Sequence, residues 1–313
     1  MQPVITITLN PAMDKTVMLP NFQLGALNRI TNAVQVDPGG KGINVAKVLQ
    51  QFNTKVIASG LIGGDLGKKL QKQVEKLGIA TDFVEVDGEV RTNLKIVDEQ
   101  TKQTTEINEP GFTVSIEDKQ QIKEKISNLM DNASFLILSG SIPNEMEAEV
   151  YSNYIHLAKE KGVKTILDAD GLVLKHGIDA KPFAIKPNLY ELEKYIGKKL
   201  PNVEAVVEAG KRLIGRGIEL VIVSMGEAGA IFLTENDGCH VKPFSITPKS
   251  TVGAGDSMVA AIAYAYGNHF SFSEMAAWAT TAGTITASKS GTNVCSLKEV
   301  RDALSKVQTS QLY

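Results

Sequence analysis

The sequence predicts an α/β protein with a mostly parallel central sheet and a small second β-sheet. Short apolar, β-branched runs alternate with helix-forming runs over most of the 313 residues, and this alternation is typical of parallel strands joined by right-handed crossovers. Two stretches, at about 12–37 and 82–108, instead place strand after strand with no helix between them. We assign both stretches to one β layer beside the main sheet, within a single domain of residues 1–313.

The elements of the main sheet follow in order. Segment 4–9 has the pattern of a buried first strand, and Asn10-Pro11 ends it. Further strands are expected at 56–61, 135–138, 165–167, 183–185 and 220–223, with a hairpin over 230–244 that turns at Asp237-Gly238. Helices are expected after the glycines at 39–42 and at 66–77, 115–130, 147–161, 203–215, 254–267, 273–288 and 297–307.

The small layer is expected to contain strands at 15–19, 30–36, 83–86, 92–97 and 104–107. Ligands of a parallel sheet bind outside the carboxyl ends of its strands. The residues expected at those ends are 10–14, 139–140, 168, 186–191 and 224–229.

Composition excludes several classes of protein. A formal net charge of −2 argues against nucleic-acid binding, which needs a basic surface. Cys239 and Cys295 are far apart and have no metal-ligand spacing, so we expect reduced thiols and a cytoplasmic protein. The first residues lead directly into a strand pattern without the features of a signal peptide. No apolar run approaches the roughly 20 residues that span a bilayer, so no membrane partner is expected.

Two glycine-rich segments lead into helices. The segment 250–258, STVGAGDSM, precedes an alanine-rich helix, so its backbone N–H groups can bind an anion. Asp256 then falls in the first helical turn, where it is either a partner of the helix dipole or a catalytic base. The segment 38–44, PGGKGIN, is the second. Neither the phosphate-binding pattern GxxxxGK[ST] nor a GxGxxG after the first strand is present.

The chain resembles the carbohydrate kinase family that includes ribokinase and the bacterial minor phosphofructokinase. The matching motifs occur in the order of the family: NPAMD at 10–14, GGKGINVA at 39–46, RTN at 91–93, LSGSIP at 138–143, KPNLYE at 186–191, VSMG at 223–226 and TVGAGDS at 251–257. They cover essentially the whole chain. The resemblance implies a ribokinase-like three-layer α/β/α sandwich with a β-sheet lid, and it is greatest to the branch that phosphorylates sugar phosphates.

The resemblance implies catalytic roles that the chemistry of the residues also supports. Asp256 would be the general base for a sugar hydroxyl, and Gly253, Ala254 and Gly255 would stabilise the charge that develops in transfer. The sugar would be bound by residues of the first four motifs: Asp14, Gly39, Gly40, Asn44, Asn93 and Ser139. Asp14 alone could equally be a turn or cap residue after Pro11.

A sugar phosphate needs a site for its dianion. In relatives acting on such substrates the lysine of GGKG and the arginine of RTN hold this phosphate, which points to Lys41 and Arg91, with Arg29 as a third candidate. The alternative for each is a solvated surface cation.

The resemblance also implies a nucleotide and metal site. ATP would contact Lys186, Asn188, Ser224, Gly226, Glu227, Gly229, Thr251 and Gly283, and Mg²⁺ would be placed by Asn188 and Glu191 through its waters. By itself the N-x-x-E pattern is also typical of a helix start. Ser250, Val252 and the loop 287–292 could hold a monovalent cation such as K⁺, as in some relatives.

The expected reaction is ATP-dependent phosphorylation of fructose 1-phosphate to fructose 1,6-bisphosphate. Tagatose-6-phosphate kinase would use the same residues and stays an alternative, as does a non-catalytic sugar-phosphate sensor. The β layer is expected to close over the sugar, and its exposed face and edge favour a homodimer.

Overall fold

The computed structural model describes residues 2–30, 33–101 and 103–313. Its strands are β1 (Val4–Thr8), β2 (Ala12–Leu19), β3 (Gln35–Gly39), β4 (Val56–Gly63), β5 (Ala80–Val86), β6 (Arg91–Asp98), β7 (Thr104–Asn108), β8 (Phe135–Ser139), β9 (Lys164–Asp168), β10 (Ala184–Ile185), β11 (Leu220–Ser224), β12 (Ala230–Leu233), β13 (Gly238–Lys242) and β14 (Gln308–Gln311). Its helices are α1 (Lys41–Gln51), α2 (Gly64–Lys76), α3 (Ile116–Met130), α4 (Val150–Glu160), α5 (Gly171–Asp179), α6 (Leu189–Ile196), α7 (Val203–Ile214), α8 (Ala254–Gly267), α9 (Phe272–Ala287) and α10 (Leu297–Ala303).

The large sheet has ten strands in the order β14-β13-β12-β11-β10-β9-β8-β1-β4-β5. The pairs from β11 through β5 are parallel, whereas β12, β13 and β14 add antiparallel strands at one end. β1 and β8 are buried along their whole length. Since successive side chains of a strand point to opposite faces, both faces of this central region are covered, as in a layered α/β fold. The predicted fold class is confirmed.

The small sheet contains β3, β2, β6 and β7 in that order. β2 pairs antiparallel with β3 and parallel with β6, and β6 pairs antiparallel with β7. It has an apolar cluster of its own, built from Val17, Leu19 and Ile96. The sheet therefore packs partly on itself and extends from the main body.

One strand was predicted in the wrong sheet. The segment 83–86 was expected in the small layer, but it belongs to β5, which pairs in parallel with β4 at the edge of the large sheet. Edge strands carry polar residues, and the sequence ATDFVEV of β5 therefore resembles an accessory strand. The small sheet is formed from 12–39 and 91–108. The strand expected at 30–36 is observed at Gln35–Gly39, and positions 31 and 32 lie outside the described residues.

The helices agree with expectation except at short elements. α5, α6 and β14 were not predicted, because nine, eight and four residues are too few to show a clear period. α4 begins at Val150 rather than 147, and α10 ends at Ala303, beyond which a single 3₁₀ turn follows. In the part of the chain that the structure describes, no helix has the length and apolar character needed to cross a membrane.

Candidate active site

A cleft of about 1250 Å³ lies between the carboxyl ends of the main-sheet strands and the small sheet. It brings together nearly all of the predicted site residues, although they are far apart in the sequence. The predicted residues that line it are Asp14, Gly40, Lys41, Asn44, Arg91, Asn93, Ser139, Lys186, Asn188, Glu191, Ser224, Gly226, Glu227, Gly229, Thr251, Gly253, Ala254, Gly255, Asp256 and Gly283. Gly39 and Arg29 are not part of the lining.

Asp256 lies in the first turn of α8, near the middle of the lining. Gly253 precedes the helix with a φ of 79°, which glycine adopts without strain. Asp256 is only 5% exposed, and its Oδ2 accepts a hydrogen bond from Asn44 Nδ2 at 2.9 Å. Burial, followed by repulsion from Asp168, raises the pKa of Asp256 to about 6. A carboxyl group with such a pKa is suited to accept a proton near neutral pH.

The start of α8 presents backbone N–H groups beside this carboxylate. The first hydrogen bond of the helix runs from Ser257 N to Gly253 O, so the N–H groups of Gly255 and Asp256 have no partner within the helix. A Cβ placed on Gly255 would lie 3.0 Å from Lys186 Nζ. The helix terminus and the ammonium therefore face the same small volume, where both would attract a phosphoryl group.

Asp168 joins two lysines in the cleft. Its side chain is 1% exposed, Oδ1 lies 2.9 Å from Lys41 Nζ, and Oδ2 lies 3.3 Å from Lys186 Nζ. Burial acts to raise the pKa of Asp168, but Lys186 and Lys41 outweigh it and hold the pKa below its usual value. Burial opposes charge on Lys41 as well, yet Asp168, Asp256 and Glu191 raise its pKa. Residue 168 was expected only at the end of a strand, without a role of its own. Because ligands bind outside the carboxyl ends of parallel strands, that position was sufficient to place Asp168 at the cleft.

One end of the cleft is a polar cluster on the small sheet. Asp14 accepts hydrogen bonds from Asn93 Nδ2 at 3.0 Å and from Lys95 Nζ at 3.1 Å, and Lys95 is 8% exposed. Sequence reasoning missed Lys95. The signal was present, because residues 91, 93 and 95 of one strand share a face. Gly39 leaves room for the carboxylate, since a Cβ there would lie 2.6 Å from Asp14 Cγ.

Arg91 and Lys41 lie on two sides of the loop after β8. Arg91 donates from Nη2 to Asn10 O at 3.2 Å and to Ser141 Oγ at 3.4 Å, and its Nε is buried without a partner among the described residues. Burial lowers the pKa of Arg91. A Cβ on Gly140 would lie 3.5 Å from Lys41 Cβ. The Lys41 ammonium points to Asp168 and the Lys95 ammonium to Asp14, so Arg91 is the cation at this end that no carboxylate binds among the described residues.

Arg29 is exposed in an irregular segment and is not part of the cleft of its own chain. Ser139 is buried at the end of β8, and its Oγ lacks a partner within the described parts of the chain. Ser139 therefore presents a polar group at the cleft wall, and its contact with a substrate stays a prediction.

The third region of the cleft follows β11. Gly226 and Gly229 have φ values of 58° and 91°, and a Cβ on Gly229 would lie 2.1 Å from Val241 O. Gly283 has a different reason to be glycine, because a Cβ there would lie 2.9 Å from Met258 Cγ where α9 packs on α8. Sequence reasoning missed the apolar wall of this region, which Phe244 and Ile246 supply.

Asn188 and Glu191 form a capping box at the start of α6. Asn188 Oδ1 accepts from Glu191 N, and Glu191 Oε2 accepts from Asn188 N, both at 2.8 Å. This arrangement accounts for the N-x-x-E pattern as a helix start, and it leaves Glu191 Oε1 without a bond in the box. Burial raises the pKa of Glu191. The described residues contain no cluster of three or more His, Cys, Asp or Glu side chains for a bare metal ion. The donors fit a hydrated Mg²⁺, which keeps several waters.

Comparison with known proteins decides the family. The model of the pfkB family carbohydrate kinases matches residues 7–299. The chain belongs to this family. It is a carbohydrate kinase, and a kinase of this family implies ATP and a divalent metal ion.

Named relatives and solved structures agree with this assignment. A 1-phosphofructokinase of Borreliella burgdorferi is 34% identical over 99% of both chains. A tagatose-6-phosphate kinase of Staphylococcus epidermidis is 36% identical over 83% of this chain and 84% of its own. Phosphofructokinase-2 of Escherichia coli, solved in complex with potassium, has a TM-score of 0.92 and 27% identity over 97% of this chain and 99% of its own. These similarities confirm the ribokinase-like fold that the motifs implied.

Proposed function

We propose that this carbohydrate kinase transfers the γ-phosphoryl group of ATP to a ketohexose monophosphate, with fructose 1-phosphate as the substrate and fructose 1,6-bisphosphate as the product. One observation carries the proposal: a buried carboxylate of raised pKa, Asp256, lies between an anion site at the start of α8 and the polar sugar end that contains Asn44 and Asp14. Likeness to the 1-phosphofructokinase of B. burgdorferi supports the choice of substrate.

The residues perform an in-line transfer in this proposal. Asp256 accepts the proton of the sugar hydroxyl as the hydroxyl oxygen bonds to the γ-phosphorus and the bond to the ADP oxygen breaks. The N–H groups of Gly253 and Gly255 and the ammonium of Lys186 stabilise the charge on the transferred group. The N–H of Ala254, which was expected to do the same, donates to Thr251 O at 3.4 Å. Mg²⁺ held through water by Asn188 and Glu191 would neutralise phosphate charge. ADP leaves with the electrons of the broken bond.

Arg91 is the main ligand of the phosphate that the substrate already carries. Its guanidinium is fixed by backbone and hydroxyl oxygens rather than by a carboxylate, so its charge is available to an anion. Lys41 reaches that phosphate only if it leaves Asp168. While it stays there, its ammonium serves the transferred phosphoryl group.

The ATP base and ribose are assigned to the region after β11. Ser224, Gly226, Glu227 and Gly229 form one side, Thr251 and Gly283 lie on the other, and Phe244 and Ile246 supply apolar surface for a planar base.

A substrate panel tests the function. Initial rates of ADP formation would be compared for fructose 1-phosphate, fructose 6-phosphate, tagatose 6-phosphate and free fructose. We expect the highest kcat/KM for fructose 1-phosphate. A preference for tagatose 6-phosphate would instead support the second candidate, which the S. epidermidis relative favours. Turnover of a free sugar without any phosphate ester would refute the role of Arg91, and binding without turnover would indicate a sensor.

We propose a monovalent cation site at Ser250, Val252 and the loop 287–292. Val252 N donates to Ser250 Oγ at 3.2 Å, and Ala287 O accepts from Lys249 N and Ser250 N, so the two loops are held together. The E. coli neighbour was solved with potassium. We expect activation by K⁺ over Na⁺ at constant ionic strength, and equal rates in the two salts would reject the site.

We further propose that the small sheet closes over the sugar and pairs with a second copy. Two large apolar side chains are exposed here: Leu24, in the connection between β2 and β3, is 93% exposed, and Ile107, on β7, is 55% exposed. Exposed apolar surface of this kind favours burial against a second copy. Phosphofructokinase-2 of E. coli also has a tetrameric inhibited form. Sedimentation should show a dimer at micromolar concentration, and a monomer would contradict the pairing.

A further inference from the structure

Asn44 lies between two buried charged groups. Its Nδ2 donates to Asp256 Oδ2 at 2.9 Å, and its Oδ1 accepts from Lys47 Nζ at 3.4 Å. Asn44 and Lys47 occupy successive positions on one face of α1, three residues apart. Lys47 is 7% exposed, and none of the family motifs used above includes it. The three side chains form a continuous polar chain from α1 to the proposed base.

The two neighbours of Asn44 permit only one orientation of its amide. A lysine ammonium has donors and no acceptor, whereas an ionised carboxylate has acceptors and no donor. The oxygen of the amide must therefore face Lys47, and the nitrogen must face Asp256. Since Asp256 uses one N–H of the amide, the second N–H remains for an oxygen of the substrate.

The charge on Lys47 is set by groups from every neighbouring element. Its Nζ also donates to Pro38 O at 2.5 Å on β3. The charged side chains around it are Asp37 on β3, Asp14 on β2, Asp256 on α8 and Lys95 on β6. Burial lowers the pKa of Lys47 to about 8, against the three carboxylates, which raise it. The side chain is thus mainly protonated at neutral pH, and it retains its cation beside the site.

We propose that Lys47 is a positioning residue for phosphoryl transfer, which fixes the Asn44 amide so that its nitrogen holds the Asp256 carboxylate and faces the substrate hydroxyl. The inference rests on the proposed role of Asp256 as the base. It adds a residue that touches neither ATP nor sugar. Without Lys47 the amide can rotate and present its oxygen to Asp256, which disfavours the ionised form of the base.

The test is the pH dependence of kcat/KM for the preferred sugar phosphate in Lys47→Met, Lys47→Gln and Lys47→Arg. The acidic limb of Lys47→Met should move upward by about one pH unit, because a nearby cation and a donated hydrogen bond both favour the carboxylate. Lys47→Gln, which can donate but carries no charge, should move less. Lys47→Arg should keep the wild-type limb. The ionisation of the substrate is the same in every variant and cancels in the comparison.

Lys159→Met is the matched control. Lys159 also donates to a backbone carbonyl, Ala180 O at 2.8 Å, but among the described residues it bonds neither Asn44 nor Asp256. This variant should leave the limb in place, so a shift cannot come from the loss of any lysine-carbonyl contact.

A folded Lys47→Met enzyme that loses rate equally at every pH overturns the inference, as does an equal shift in Lys47→Arg. If Lys47→Met does not fold, the acidic limbs of Lys47→Gln and Lys47→Arg are compared instead: a limb at higher pH in Lys47→Gln alone supports the inference, and equal limbs overturn it. Failure of the proposed function is distinct: the wild type would then turn over no phosphate ester, or the acidic limb of Asp256→Asn would have the same slope as that of the wild type.

Discussion

The raised pKa of Asp256 predicts an acidic limb in the rate of the wild-type enzyme near pH 6. Lowering the pH protonates the base, and for a pKa of about 6 the ionised fraction falls about tenfold between pH 7 and pH 5. Burial and the neighbouring Asp168 are the causes, so the limb lies about two units above that of an ordinary aspartate. The rates should be measured by direct chromatography of ADP, because coupling enzymes have pH dependences of their own.

The substrate needs separate treatment, because a phosphate ester also ionises near pH 6. With both groups titrating, the logarithm of kcat/KM should fall with a slope approaching two at low pH. Asp256→Asn should lose about two to four orders of magnitude in kcat and retain only the slope of one from the substrate. A wild-type slope of one, equal to that of Asp256→Asn, would refute the assignment of Asp256 as the base.

Three further substitutions test the cleft. Arg91→Ala should raise the KM for the sugar phosphate about tenfold or more, because it removes charge-assisted hydrogen bonds. Steady-state kinetics would compare it with Arg301→Ala, a control at an exposed arginine on α10, and an unchanged KM would show that Arg91 does not bind the substrate phosphate. Gly255→Ala places a Cβ 3.0 Å from Lys186 Nζ and should lower kcat about tenfold, while the melting temperature stays close to that of the wild type. A normal kcat would show that Lys186 does not bind the transferred phosphoryl group. Gly283→Ala puts a Cβ 2.9 Å from Met258 Cγ and should lower the free energy of unfolding by about 1–3 kcal/mol, measured in urea; an unchanged midpoint would show that α8 and α9 have room to separate.

Apolar elements were predictable, and short polar ones were not. β1 is a β-branched run buried at every residue, and α8 is a run of helix-forming residues buried along most of its length. β5 is different, because its polar residues suit an edge strand of either sheet, and its place follows from pairing with β4 rather than from its own composition. α6 has only eight residues, and although the N-x-x-E pattern is typical of a helix start, the sequence did not show where that helix would continue.

The site was predictable where a residue stands in a motif and not where its role depends on a neighbour. Asp256 and Asn44 follow glycine-rich segments, Arg91 stands in the RTN motif of the family, and all three line the cleft. Lys95 and Lys47 stand in ordinary strand and helix sequences. They became visible only when folding buried them against Asp14 and Asn44.

The sequence alone predicted the α/β class and the two glycine-rich helix starts, because local propensity and spacing control these features. The role of Asp256 as the base follows from the family resemblance and stays a prediction. The tertiary structure decided which charges meet. Residues 41, 168 and 186 are distant along the chain, and only the packing of parallel strand ends brings two lysines onto one carboxylate. Burial then sets the pKa of Asp256, a quantity that depends on distance and solvent exclusion and that no local pattern encodes. The sequence predicts backbone N–H groups at the start of α8, and the fold places the Asp256 carboxylate, its partner Asn44 and the Lys186 ammonium beside them.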